Sequence, residues 1–230
     1  MADTFILGTT GNGIGTLSKF LLKGILNDQK TRYKDDVSIV FDCSGVYEDI
    51  IPDGATIFSI QKGKPGLTCS KAREDGTFLP GDVFYIKTGF EPNIKIDEVL
   101  SDMEQVISNF WADKFSTGHD GFISLIVNAP QFYKTLGRII ALHNLRNNIW
   151  TFQSSEQLES IWKQRDLPCC YDNIVATSIC DMQTATFIAE LTGRTTENIL
   201  SCCTAGERVL LVENGHLHLY NKEDCFSYIL

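Results

Sequence analysis

The sequence predicts a three-layer α/β fold with a mainly parallel central sheet and a C-terminal β-hairpin. Short apolar runs alternate with stretches of helical period along nearly the whole chain. The first run ends at a glycine-rich turn that opens straight into a helical pattern. The last two runs, 208–212 and 216–220, flank Glu213, Asn214 and Gly215, and an Asn-Gly pair between strands marks a hairpin.

Taken in order, residues 4–7 form a short apolar strand, and 16–26 carry apolar residues at helical spacing. Residues 37–42 read as a second strand, apolar enough to be central and parallel. Between 60 and 82 the chain turns polar and glycine-rich, a loop or hairpin excursion, before a strand at 83–86. An amphipathic helix is expected over 97–110, with acidic residues in its first turns to suit the helix dipole. The run 122–127 is the most buried-looking strand, and a helix follows at about 134–144. Strands at 149–152 and 174–178 are each followed by a helix, at 155–163 and 182–192. The sequence holds no internal repeat.

At 230 residues and 43% hydrophobic, the chain can bury a full core as one domain over 1–230. A net charge of -9 argues against a uniformly basic nucleic-acid binder and leaves room for a local basic patch. No stretch reaches the ~18 apolar residues of a membrane span. Met1, Ala2 and Asp3 lead into a strand without the basic region of a secretory signal, so a cytoplasmic protein is expected. Of the eight cysteines, the adjacent pairs Cys169-Cys170 and Cys202-Cys203 lack C-x-x-C spacing, and thiols in a reducing compartment are the expectation.

Chemistry concentrates in the first turn. Gly8 and Gly13 stand at the interval of the phosphate-binding pattern G-x-x-x-x-G-K-[ST], but Ile14 fills the lysine position and Gly15 the magnesium-ligating hydroxyl position. A glycine loop between strand and helix can cradle phosphate through backbone N–H groups and the helix N-terminus. The lysine would add charge on the β/γ-phosphates, and the hydroxyl would fix magnesium. Thr16, Ser18 and Lys19 are nearby but displaced along the helix. Two readings stay open: a plain glycine turn, or a nucleotide loop without its catalytic residues. Phosphoryl transfer also needs a carboxylate at the end of a central strand. At the end of 122–127, Asn128 and Ala129 stand where an Asp-Glu pair is expected, so a second catalytic position is empty.

These segments resemble, in order, the FtsK–HerA superfamily of P-loop motors. The run 39–50, with Phe41, Asp42, Gly45, Tyr47 and Glu48, is similar to the segment that follows their first helix. The run 148–162, with Trp150, Thr151, Phe152 and Gln153, looks like a stretch of conjugative (type IV secretion, TraG/TraD-like) coupling proteins. Asn173, Asp181, Thr184 and Ala185 match the pattern that follows there, and 206–215 resembles the closing hairpin. Viral DNA-packaging ATPases are relatives of that family.

The resemblance implies a RecA-like ATPase domain that assembles as a hexameric ring, homo- or hetero-oligomeric, around DNA. It makes Gly8, Gly11, Asn12, Gly13, Gly15 and Thr16 the ATP-binding loop, with magnesium absent or weakly held. It makes Gln153 the polar sensor and sets Arg146 near the inter-subunit arginine. The cluster Lys62, Lys64, Lys71 and Arg73 is either a solvated loop or, in a ring, a sequence-independent DNA contact. His216 and His218 share a strand face, as surface histidines or as a weak metal site. The expected function is that of a catalytically degenerate DNA-translocase or packaging relative, acting as a binding or regulatory subunit. The alternatives are an active ATPase with a displaced lysine such as Lys19, and an interaction scaffold that has lost nucleotide.

Overall fold

The computed structural model describes residues 2–8, 13–60, 67–69, 81–87, 101, 121–128, 145–164, 173–177, 179, 181–203, 208–213 and 216–221. The helix expected at 134–144 lies outside these residues, and so does that at 97–110 apart from residue 101, which is helical. Also outside are Gly11, Asn12, Ala129, and the cluster Lys62, Lys64, Lys71 and Arg73. The chain divides into two compact units, one of Met1–Leu22 and Asn147–Leu230, the other of Lys23–Arg146.

In the first unit, β1 (Ala2–Leu7) lies between β7 (Leu145–Phe152) and β8 (Asn173–Ala176) and runs parallel to both. β9 (Arg208–Glu213) pairs antiparallel with β8, and β10 (His216–Asn221) antiparallel with β9, forming the expected C-terminal hairpin. Phe5, Ile6, Leu7, Ile174, Val175 and Ala176 are at most 3% exposed. Unbroken apolar runs of this kind suit parallel strands covered on both faces. The closing strand β10 is polar instead, with His216 exposed and His218 stacked on Tyr220, a composition fit for a sheet edge.

Three helices complete this unit: α2 (Ser155–Gln164), α3 (Met182–Thr192) and α4 (Thr196–Cys203). Each starts from a residue whose side-chain oxygen accepts an N–H of the first turn. The Ser154 hydroxyl accepts from Gln157 N at 3.4 Å, the Asp181 carboxylate from Thr184 N at 2.6 Å, and the Thr195 hydroxyl from Asn198 N at 3.3 Å. On α3, Thr184, Ala185, Ile188 and Ala189 make the buried stripe. The short helix α4 was not among the expected elements; it anchors through Ile199, which is fully buried.

The second unit is built around β2 (Val37–Asp42), entirely buried and parallel to β5 (Val83–Lys87) on one side and β6 (Ile123–Asn128) on the other. β3 (Thr56–Ile60) adds parallel to β5 and pairs antiparallel with β4 (Leu67–Cys69). Neither β3 nor β4 stood out in the sequence, because each is short and mixed in polarity. Helix α1 runs Ile14–Thr31, well past the expected 26, and crosses from one unit into the other. Its extension has a reason in Gln29. That buried amide donates to Asp36 O at 2.8 Å and Asp82 O at 3.1 Å, and accepts from the Ser38 hydroxyl at 2.6 Å. A polar residue in the last helical turn thereby adds a second donor to two backbone carbonyls, which also accept from Gly81 N and Ser38 N.

Parallel pairings prevail overall among the described residues, as the sequence predicts: three of four in the second unit are parallel and two of four in the first, where the C-terminal hairpin supplies the antiparallel ones. Among the described residues no helix is long and apolar enough to cross a membrane. Cys43 is buried and Cys202 half-buried, and both are thiols rather than disulfides.

Candidate functional site

Strand register brings three of the first unit's loop residues into one row. Leu7 is paired with Phe152 on β7 and with Ala176 on β8. The next residues, Gly8, Gln153 and Thr177, therefore leave the carboxyl ends of three adjacent parallel strands together. Open α/β sheets bind ligands at such ends. The peptide joining Leu7 to Gly8 is held from both sides: Gly8 N donates to Phe152 O at 3.2 Å, and Thr177 N donates to Leu7 O at 2.9 Å.

Two glycines of the phosphate-loop frame are required, for different reasons. A Cβ on Gly8 would stand 2.4 Å from the Thr177 hydroxyl oxygen, closer than real Cβ contacts come, and a tight 3.0 Å from Ile14 Cγ1. Gly13 has φ +91°, a conformation that side chains disfavour. Ile14, in the lysine position, turns its side chain back over Gly8, with Cδ1 3.2 Å from the site of that Cβ. An apolar group thus occupies the base of the loop where a cation would serve. Thr9 to Asn12 complete the loop outside the described residues.

Helix α1 begins from Gly13, whose carbonyl accepts from Leu17 N at 2.9 Å. Gly13 has no side chain to cap the first turn, and that turn contains no acidic residue. The three other described helices are capped by Ser154, Asp181 and Thr195. Among the described residues no side chain caps the first-turn N–H groups of α1, and the positive end of the helix dipole lies behind them. Gly15 is half-buried and Thr16 exposed there, and the Ser18 hydroxyl is committed to Gly15 O at 3.2 Å. Lys19 lies five residues beyond Ile14, about 7.5 Å further along the axis.

Gln153 has an exposed side chain, and its backbone N–H donates to the Gln157 side chain at 2.9 Å. Its segment is tied to α3, because Ser155 N donates to the Thr184 hydroxyl at 3.4 Å. Thr177 carries no motif in sequence, since a lone threonine after an apolar run looks like any strand end. Only register against β1 reveals its contact with Gly8.

The second unit holds a polar cluster of a different kind, also at carboxyl strand ends. Asp42 is fully buried and pairs in register with Lys87 and Asn128. One carboxylate oxygen accepts from Ser44 N at 3.1 Å, the Ser44 hydroxyl at 3.2 Å, Gly45 N at 3.0 Å and Asn128 Nδ2 at 3.3 Å. The other accepts from Tyr47 N at 2.9 Å and the Tyr85 hydroxyl at 3.0 Å. Burial, and then the negative charge of Asp42, push the Tyr85 phenol far above its ordinary pKa, so it stays a donor. Asn128 Nδ2 also reaches the Ser44 hydroxyl at 2.8 Å. Asn128 therefore performs a task a carboxylate could not, since it donates to a buried carboxylate. Lys87 pairs with Glu48 beside this cluster.

Arg146 has an internal role in the same unit. Its guanidinium pairs with the buried Asp36 and lies 4.0 Å over the Tyr33 ring and 4.8 Å from the Phe122 ring centre. Asp36 also accepts from Phe122 N at 2.9 Å. A guanidinium held between two rings and a buried carboxylate is a packing element. Among the described residues, no group of three His, Cys, Asp or Glu side chains is arranged to hold a metal ion.

The whole architecture resembles a solved structure, the genome packaging NTPase B204 from Sulfolobus turreted icosahedral virus 2 in complex with ATP-gammaS. The match covers 96% of this chain and 96% of that one, with a TM-score of 0.52 and 10% sequence identity. No family model matches the sequence, and no curated protein matches it significantly. At that identity the likeness speaks to fold. The chain has the mixed α/β fold of a P-loop NTPase, with a mostly parallel sheet and a C-terminal antiparallel hairpin.

Proposed function

We propose that this chain is a degenerate member of the DNA-translocating and packaging class of P-loop proteins, which holds a nucleotide and does not hydrolyse it. One observation carries the reading. The loop's frame is sterically maintained at Gly8 and Gly13, while the lysine position holds an isoleucine folded onto the loop base. Backbone donors and the α1 N-terminus would grip the phosphates, and magnesium would be absent or weakly held. The packaging role of B204 and its bound ATP analogue support the substrate class. A ring of subunits acting on DNA, with an active paralogue supplying turnover, extends the reading along the family resemblance. The link to conjugative coupling proteins rests on the same resemblance.

The displaced-lysine alternative is disfavoured by geometry. Lys19 is more than a full turn inside α1, whereas the lysine of a phosphate loop starts the helix. Two assays test the proposal together. Nucleotide should raise the unfolding temperature as RT ln(1 + [L]/Kd), about 2.7 kcal/mol at a hundredfold excess over Kd. Steady-state ATP turnover with DNA and magnesium should stay at the level of an Asn128→Ala control. Clear turnover above that control would replace this reading with an active motor. No thermal shift at millimolar ATP would leave a scaffold that has lost nucleotide.

A further inference from the structure

Thr177 follows β8 directly, and the pairing of Leu7 with Ala176 sets it opposite Gly8. It is 2% exposed. Its backbone N–H donates to Leu7 O at 2.9 Å, and its hydroxyl faces the same oxygen at 3.5 Å. That hydroxyl also occupies the space beside Gly8 where a Cβ would come within 2.4 Å. Gly8 is not in the left-handed region, since the described glycines with positive φ are Gly13, Gly45, Gly81 and Gly193. Position 8 is thus restricted by Thr177 and Ile14, not by its own backbone angles.

We infer that Thr177 is a positioning residue for the phosphate loop. Resting on the nucleotide reading above, it fixes the carbonyl from which the loop departs and lets the Gly8 backbone lie close against the end of β8. The segment beyond Thr177 leads to Asp181, which caps α3, and α3 binds the Gln153 segment through Thr184 and Ser155. Thr177 thereby links the loop to both neighbouring strand ends.

The test is a double-mutant cycle read by binding of a fluorescent ATP analogue. Gly8→Ala should weaken binding about tenfold or more, because the new methyl collides with the Thr177 hydroxyl. Adding Thr177→Ala to Gly8→Ala should recover at least about threefold of that loss, a coupling typical of residues in direct contact. Thr177→Ser should keep affinity within about twofold, and Thr177→Val should lose about three- to tenfold at an unchanged ligand-free unfolding temperature. Should Gly8→Ala fail to fold, the Ser and Val variants decide. Equal binding by wild type and Thr177→Val, or no recovery in the double variant, would overturn the positioning role alone. A wild-type chain that binds no nucleotide would instead overturn the nucleotide reading and this role with it.

Discussion

Two rows of polar residues lie at carboxyl ends of parallel strands, one in each compact unit, and they are finished differently. Around Asp42, nearly every polar group meets a partner within the chain: two hydroxyls, three backbone N–H groups and an amide converge on one buried carboxylate. Around Gly8, by contrast, α1 starts from a residue with no capping side chain, and the frame glycines keep the backbone bare. A saturated cluster stabilises a fold, whereas on the proposed reading the row at Gly8 offers its donors to an anion from outside. The contrast separates structural polarity from binding polarity within one chain.

Breaking the saturated cluster should show the largest effect. Asp42→Ala strands six donors in a buried setting and should cost about 3–5 kcal/mol. Urea unfolding should show this as a lower midpoint at unchanged slope. A loss under 1 kcal/mol would mean the cluster is not a structural anchor. Asn128→Asp is the next most severe. It replaces a donor 3.3 Å from the Asp42 carboxylate with a second negative charge, at an expected cost of about 2–3 kcal/mol in this half-buried place. An acid at this strand end should therefore harm the protein.

Tyr85→Phe removes one hydrogen bond to Asp42 and should cost about 1–2 kcal/mol at neutral pH. Its pH dependence is more diagnostic. The folded-state pKa lies above the unfolded value near 10, so the native state holds its proton where the unfolded chain releases it. Stability associated with Tyr85 is then full below about pH 10 and falls as pH rises beyond it. The Phe variant should lack that alkaline decline in unfolding temperature; an identical decline in both would assign it elsewhere. Smallest of all, Gln153→Ala should change unfolding by less than about 0.5 kcal/mol, because the side chain is exposed. A stability loss as large as that of Asp42→Ala would erase the distinction between the two rows.

Much of this was legible in sequence, and the part that was not has physical causes. β1, β2, β6 and β8 announce themselves because interior parallel strands are apolar on both faces. The glycine frame was legible too, since its spacing reflects backbone geometry. Asp42 showed only part of its role, because two of its six donors come from 43 residues away at Tyr85 and 86 away at Asn128. The contacts of Arg146 with Asp36, Tyr33 and Phe122 have no local signal in sequence, since they join residues far apart in the chain. β3 and α4 were missed for want of length and periodicity. Thr177 had no local signal at all, for its meaning lies in the register of β8 against β1.

The central claim is that the row at Gly8 binds nucleotide phosphate through backbone without lysine or firmly held magnesium. Titrating ATP into the purified chain by calorimetry, once with magnesium and once with EDTA, tests it directly. The account predicts saturable binding whose Kd changes less than about threefold between the two conditions, since no lysine or hydroxyl ligand organises a metal-bound triphosphate. Absence of binding in both, or binding that appears only with magnesium, would contradict it.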